Sequence, residues 1–218
     1  MAKRVLHDEY FNRAKREGYL ARSAFKLLEL EERKKLVRRG GRVLDLGCAP
    51  GSWLQVAAEL AGPRGEVVGV DLTEVDTRTL ARPGKPAAAI TALVADIREI
   101  DLASLGDEPF DCVLSDMAPN TSGAGDHFLS VRLCERVLEV ADRVLRPGGN
   151  LAMKVFEGEA FPQLVRNTGR AFADAKAFKP RACRSVSSET YIVGKKFRGP
   201  RGRPEQATRR PPAPPTGW

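Results

Sequence analysis

Three aspartates each close a short apolar run: Asp71 after residues 66–70, Asp96 after 92–95 and Asp116 after 110–115. A carboxylate at such a place can accept hydrogen bonds from a ligand hydroxyl or amine at the rim of a sheet. Upstream, residues 45–53 read Asp-Leu-Gly-Cys-Ala-Pro-Gly-Ser-Trp. Gly47 and Gly51 let a ligand approach the backbone closely. Their spacing is Gly-x-x-x-Gly, not the Gly-x-Gly-x-x-Gly of dinucleotide sites. Pro50 removes an N–H that a pyrophosphate would use. The turn therefore suits a ligand without phosphate, such as a nucleoside joined to an amino acid. Asp71 is placed to accept from both ribose hydroxyls and Asp96 from an adenine amino group, while Asp45 would orient the turn or face the cationic part of the ligand. Trp53 fits two roles, packing of the helix that follows or lining of the pocket. Lys154 closes another apolar run, an odd place for a residue that is seldom buried unpaired.

Elements must hold these groups. Residues 8–39 read as largely helical, with Ala24, Phe25, Leu27, Leu28 and Leu30 on one apolar face and Gly40-Gly41 ending the segment. Strands are expected over 42–46, 66–71, 92–96, 110–116, 150–156 and 190–195. Helical patterns cover 52–60, 128–145 (stopped by Pro147-Gly148-Gly149) and 161–172, whereas residues 73–90 show no readable pattern. Strands alternating with helices imply an α/β fold, a doubly wound and mainly parallel sheet with helices on both faces. Ligands bind such sheets beyond the carboxyl ends of the strands, so Asp71, Asp96 and Asp116 should rim one crevice.

Composition narrows the partners. In 218 residues no apolar run approaches the length needed to span a bilayer, and the start lacks the apolar stretch of a secretory signal. Cys48, Cys112, Cys134 and Cys183 are scattered, and His7 and His127 are not spaced as ligands. Reduced thiols, no metal site and a cytoplasmic location are the expectation. Residues 1–39 carry a net charge of +6 and residues 195–218 another +6, around a mildly acidic body. That arrangement suits a polyanion gripped by the flanks. Arg13, Lys15, Arg16, Arg22, Arg33, Lys34, Lys35, Arg38 and Arg39 are the candidate phosphate contacts, which position a nucleic acid without identifying it.

Five fragments occur in order: Phe25-Lys26-Leu27, residues 45–53, Ser115-Asp116-Met117-Ala118-Pro119-Asn120, Lys154-Val155-Phe156 and Ser188-Glu189-Thr190-Tyr191-Ile192-Val193. As an ordered set, over roughly residues 8–196, they closely resemble the FtsJ/RrmJ (RlmE) family of RNA ribose 2′-O-methyltransferases. The resemblance implies a Rossmann-like class I methyltransferase fold with a mostly parallel seven-stranded sheet. It implies S-adenosyl-L-methionine as cofactor and a Lys-Asp-Lys-Glu tetrad, here Lys26, Asp116, Lys154 and Glu189. The family's cofactor positions fall on Gly51, Trp53, Asp71, Asp96 and Asp116, beside Gly47 and Asp45 of the same turn. Bacterial members modify a uridine of 23S ribosomal RNA in the large subunit, so that RNA is the expected partner, with a monomeric enzyme. The organisation expected is a basic helical extension over 1–39 that carries Lys26, a methyltransferase domain over 40–196, and a basic proline-rich tail over 197–218 that is disordered. Residues 73–90 and the tail depart from the family pattern.

The residue types suit that chemistry. A ribose hydroxyl must lose its proton as it attacks a sulfonium methyl. Lys154 is the candidate proton acceptor, although a free lysine titrates at about 10.4. Lys26 and partial burial would lower that value, and Asp116 and Glu189 would raise it. The two carboxylates then orient the lysine and neutralise the cluster. Alternatively, Lys154 stays charged and stabilises the developing alkoxide. Other readings are a tRNA or other RNA substrate, methylation of a base nitrogen, and a non-catalytic ribosome-assembly factor. Asp116-Met117-Ala118-Pro119 resembles a base-methylation motif but lacks the aromatic residue that would stack on a flipped base. A base-carbon methyltransferase would need an activated cysteine, and no activator is evident.

Overall fold

Near-continuous apolar runs in the central strands dictate two covered faces, and the chain forms both. The computed structural model describes residues 2–119, 125–183 and 187–200, with side chains from Glu9 onward. Its strands are β1 (Arg42–Leu46), β2 (Glu66–Asp71), β3 (Ala89–Val94), β4 (Phe110–Ser115), β5 (Leu145–Phe156), β6 (Phe172–Phe178) and β7 (Glu189–Phe197). Helices are α1 (Ala2–Glu17), α2 (Ala24–Lys34), α3 (Ser52–Ala61), α4 (Asp126–Val144) and α5 (Phe161–Ala171). The sheet order is β3-β2-β1-β4-β5-β7-β6. The first five strands of that order are parallel, and β7 runs antiparallel to both β5 and β6.

Period-two alternation sorts the core. Val43, Cys112, Leu114, Ala152, Tyr191 and Val193 point to the face covered by α2 and α3. Leu44, Leu46, Val113, Met153, Val155 and Ile192 point to the face covered by α4 and α5. Helices thus cover both faces, as expected. Leu27 and Leu30 of α2 are buried in the same cluster as the strand residues, so Lys26 rides on a helix of the core.

Several local expectations shift. The helical stretch over 8–39 is two helices joined by residues 18–23, and it stops at Lys34 rather than at Gly40. Lys35 takes a left-handed conformation and donates its N–H to the Glu31 carbonyl. The Glu31 carboxylate then accepts the Leu36 and Val37 N–H groups at 2.7 and 2.9 Å, ending the helix with its own side chain. Strand β3 ends at Val94, so Asp96 lies two residues past it. Pro147-Gly148-Gly149 sits inside the irregular start of β5, where the register against β4 shifts. Strand β6 was not expected, because Phe-Ala-Asp-Ala-Lys-Ala-Phe carries weak strand propensity. Pairing with β7 overrides this, and its exposed charges suit an edge strand. The tail beyond Pro200 lies outside the described residues. Among the described residues no helix is long and apolar enough to cross a membrane.

Candidate active site

Alternation also assembles the charged cluster. Lys154 shares its face with Ala152, and Glu189 and Tyr191 share theirs with Val193, which is the face covered by α2. Lys154 pairs in register with Tyr191, and Phe156 with Glu189. Asp116 follows β4 next door, and Lys26 comes down from the first turn of α2. The Lys26 ammonium lies 2.7 Å from Glu189 Oε1 and 4.0 Å from Asp116 Oδ1. Lys154 Nζ lies 3.0 Å from the same Asp116 Oδ1 and donates to the Asp116 carbonyl. All four expected residues therefore meet.

The cluster is largely withdrawn from water, which strengthens each contact and penalises any uncompensated charge. Burial opposes the charge of Lys26, but Asp116 and Glu189 outweigh it and hold the ammonium above the ordinary lysine value. For Glu189 burial favours the neutral acid, and Lys26 reverses the balance and lowers the carboxyl. Lys26 and Glu189 thus form a standing ion pair at neutral pH. Two members were missed from sequence. The Tyr191 hydroxyl donates to Asp116 Oδ1 at 2.6 Å, and the Cys183 thiol donates to Glu189 Oε1 at 3.0 Å. Burial, with Asp116 beside it, keeps the Tyr191 phenol protonated. Burial and Glu189 push the Cys183 thiol up to about 12. Strand parity with Glu189 could have found Tyr191, whereas nothing in the sequence marks Cys183.

Beside this cluster a cavity of about 550 Å³ is lined by Gly47, Asp71, Asp96 and Asp116 together with Ile97, Met117 and Leu133. Asp71 accepts from Ala49 N at 2.9 Å and from Thr73 N at 2.8 Å, tying the end of β2 to the glycine turn. The side chain of Arg98 grips Asp96 and pushes its carboxyl down to about 2. Gly47 has φ +77°, and a Cβ there would meet Met117 Cγ at 2.1 Å. At Gly51 (φ +106°) a Cβ would meet Leu80 Cδ2 at 2.6 Å. Glycine is thus required by protein packing as well as by backbone conformation. Asp45 is fully buried, and neither carboxylate oxygen finds a partner among the described residues. Burial, then Asp116 and Asp71, raise its carboxyl well above the ordinary range. Trp53 is buried outside the residues that line the cavity. A broader groove of about 970 Å³ between α4 and α5 holds none of these groups.

The basic residues divide. Lys15 and Arg16 lie in the last turn of α1, and Arg22 lies in the loop leading to Lys26. Arg13 there is paired with Glu17 and lies over the Phe25 ring. Arg33 and Lys34 lie in the last turn of α2, about 10 Å or more along the axis from Lys26, and Lys35, Arg38 and Arg39 follow it. Arg38 there pairs with Asp111 at the start of β4.

Comparisons with known proteins bear on the fold and the family. A family profile described as FtsJ-like methyltransferase matches residues 19–197. A Syntrophobacter fumaroxidans protein named ribosomal RNA large subunit methyltransferase E is 44% identical over 199 residues, covering 89% of this chain and 98% of its own. A Pseudomonas aeruginosa protein of the same name is 39% identical, covering 88% of this chain and 92% of its own. In structure, a Plasmodium falciparum protein described as a ribosomal RNA methyltransferase superposes with a TM-score of 0.67 at 26% identity, over 83% of this chain and 100% of that one.

Proposed function

Because the chain belongs to the FtsJ-like methyltransferase family, we propose that it moves a methyl group from S-adenosylmethionine to a ribose 2′-hydroxyl of 23S ribosomal RNA in the large subunit. The observation that carries this reading is the buried Lys26–Glu189 and Asp116–Lys154 cluster opening beside the carboxylate-rimmed cavity. The reading takes the enzyme to be a cytoplasmic monomer, with Lys15, Arg16 and Arg22 nearest the RNA phosphates.

The donor set fits that cofactor. Asp45, buried without a partner, leaves an acid that a cationic ligand would complement. Asp71 and Asp96 offer further lone pairs for ribose and adenine, and Gly47 and Gly51 shape the turn. When bound, the cofactor supplies an electrophilic methyl on a cationic sulfur.

The chain's own residues supply position and proton transfer. Asp116 holds Lys154 by carboxylate and carbonyl, leaving an Nζ position to face the ribose hydroxyl. With the methyl donor bound, Lys154 would take the proton that the ribose hydroxyl gives up as its oxygen accepts the methyl group. Lys26, held charged by Glu189, sets a second cation near the same carboxylate oxygen. Positioning supplies much of the rate, since in-line transfer demands geometry above all.

The test is transfer from labelled S-adenosylmethionine to large subunits and total RNA, wild type beside Lys154→Ala, with products mapped by nuclease digestion and mass spectrometry. A 2′-O-methylated uridine from 23S RNA, reduced about 10²–10⁴-fold in the variant, is expected. A methylated base, or full activity in the variant, would overturn the assignment.

A further inference from the structure

We propose that Trp53 is a positioning residue whose indole sets Lys26 and Asp116 against each other and registers both to the cofactor turn. The inference rests on the methyltransferase reading above.

A buried indole N–H needs an acceptor. Trp53 Nε1 donates to the Ser23 carbonyl at 2.9 Å. The Lys26 backbone N–H donates to that same carbonyl at 3.0 Å. One oxygen, with two lone pairs, thus fastens the indole to the residue whose ammonium enters the cluster. The other link is through the ring. It stacks on Tyr191 with centroids 5.7 Å apart and planes 23° from parallel, and the Tyr191 hydroxyl holds Asp116 Oδ1 at 2.6 Å. A single side chain therefore touches one element on the lysine side and one on the carboxylate side.

Its neighbours on α3 reinforce the lysine side. The Ser52 hydroxyl donates to the Ala21 carbonyl at 3.3 Å. Gln55 accepts from Leu20 N at 3.2 Å and donates to the Gly18 carbonyl at 3.1 Å. The loop leading into Lys26 is thereby bound along residues 18–23 to the start of α3. That helix begins directly after Gly51, in the turn assigned to the cofactor. Packing alone would explain a buried tryptophan, but it would not require the N–H to share an acceptor with Lys26. Because a misplacement of about 1 Å at a transfer site costs on the order of 10²-fold, loss of this link should appear in the rate.

The experiment compares wild type with Trp53→Phe, and with an isostere in which benzothiophene replaces the indole. The isostere keeps the shape and the stacking and removes only the N–H. Both are made with Trp218→Phe so that position 53 alone reports. Single-turnover methyl transfer to large-subunit RNA is measured with the dissociation constants of cofactor and RNA. In the isostere the transfer rate should fall about tenfold with both constants within twofold, and in a Lys26→Ala background the isostere should lower the rate no further. An unchanged rate in the isostere overturns the proposal. So does a parallel loss of cofactor affinity, which would make Trp53 a cofactor contact, or an undiminished effect in the Lys26→Ala background. If the wild type transfers no methyl to RNA, the functional reading falls and this inference with it. Transfer by the wild type with an unaffected isostere overturns this inference alone. Should Trp53→Phe fail to fold, the isostere still decides.

Discussion

Strand β4 places a buried aspartate near its start and a half-buried one just past its end, and different donors serve them. Asp111 accepts from the Arg42 N–H at 2.8 Å, from Arg146 Nε at 2.5 Å and from Arg38 Nε at 3.2 Å. Asp116 is held by Tyr191, Lys154 and, at longer range, Lys26. Arginine and the peptide N–H keep their protons at any pH a protein survives, whereas lysine can give up and take back a proton. One end of the strand is therefore held by donors whose protons are fixed, and the other by a lysine that, on the proposed mechanism, takes up a proton. The same side chain serves structure or chemistry according to the cations around it.

Asp116→Asn should break the comparison most sharply. An amide keeps the shape but cannot compensate two ammonium groups, and it disturbs the Tyr191 and Lys154 contacts together. Single-turnover transfer should fall by about 10²–10⁴-fold, with a smaller loss of cofactor affinity. A loss below tenfold would mean that Lys154 is held without Asp116, and the contrast between the strand ends would collapse.

The carboxylate-rimmed half of the candidate site was legible in sequence because it is local. A glycine turn after one strand and aspartates closing the next runs are short-range patterns. Asp71 indeed bonds the turn through Ala49, and Asp96 its own near neighbour Arg98. The lysine–carboxylate half was not legible that way. Lys26 and Glu189 are far apart in the chain, and no local pattern sets their 2.7 Å separation, so they entered only through the family resemblance. Residues 73–90 stayed unread for a related reason. They carry no periodicity, yet Leu80 packs on Gly51, and Arg82 pairs with Glu59 and bonds the Tyr19 hydroxyl at 2.9 Å. Their order comes from distant partners. Edge strand β6 likewise owes its form to β7.

Asp45 sharpens the comparison as a buried acid with no cation beside it among the described residues. Its raised carboxyl implies that the folded chain holds a proton the unfolded chain has released. Stability from this group is therefore full below about pH 4 and declines as pH rises toward the raised value. Asp45→Asn should remove that decline, so thermal unfolding of the cofactor-free variant moves up relative to wild type between pH 5 and 8. Cofactor affinity should fall about tenfold, the scale of one hydrogen bond to a charged group. A steeper decline in the variant, or unchanged affinity, would show that Asp45 is neither strained when empty nor turned toward the ligand.

Asp111→Asn should have the smallest effect on the reaction, because its three donors lie at the opposite end of β4 from Lys154. Transfer at saturating substrates should stay within about twofold of wild type. Stability is where the substitution acts. Burial disfavours the Asp111 carboxylate, but the Arg42 N–H, Arg146 and Arg38 outweigh it and lower its carboxyl. Such a group stabilises the fold above its unfolded value near pH 4 and loses that contribution as pH falls through the lower folded value. Urea unfolding at pH 7 should therefore show a loss of about 2 kcal/mol in the variant, the scale of a hydrogen bond to a charged group. Arg38 and Arg146 are substantially exposed, so solvent keeps their share of it small. The gap should close progressively below pH 4 as the wild type protonates. A gap that persisted there would mean that packing, rather than the carboxylate's charge, makes this end of β4 rigid.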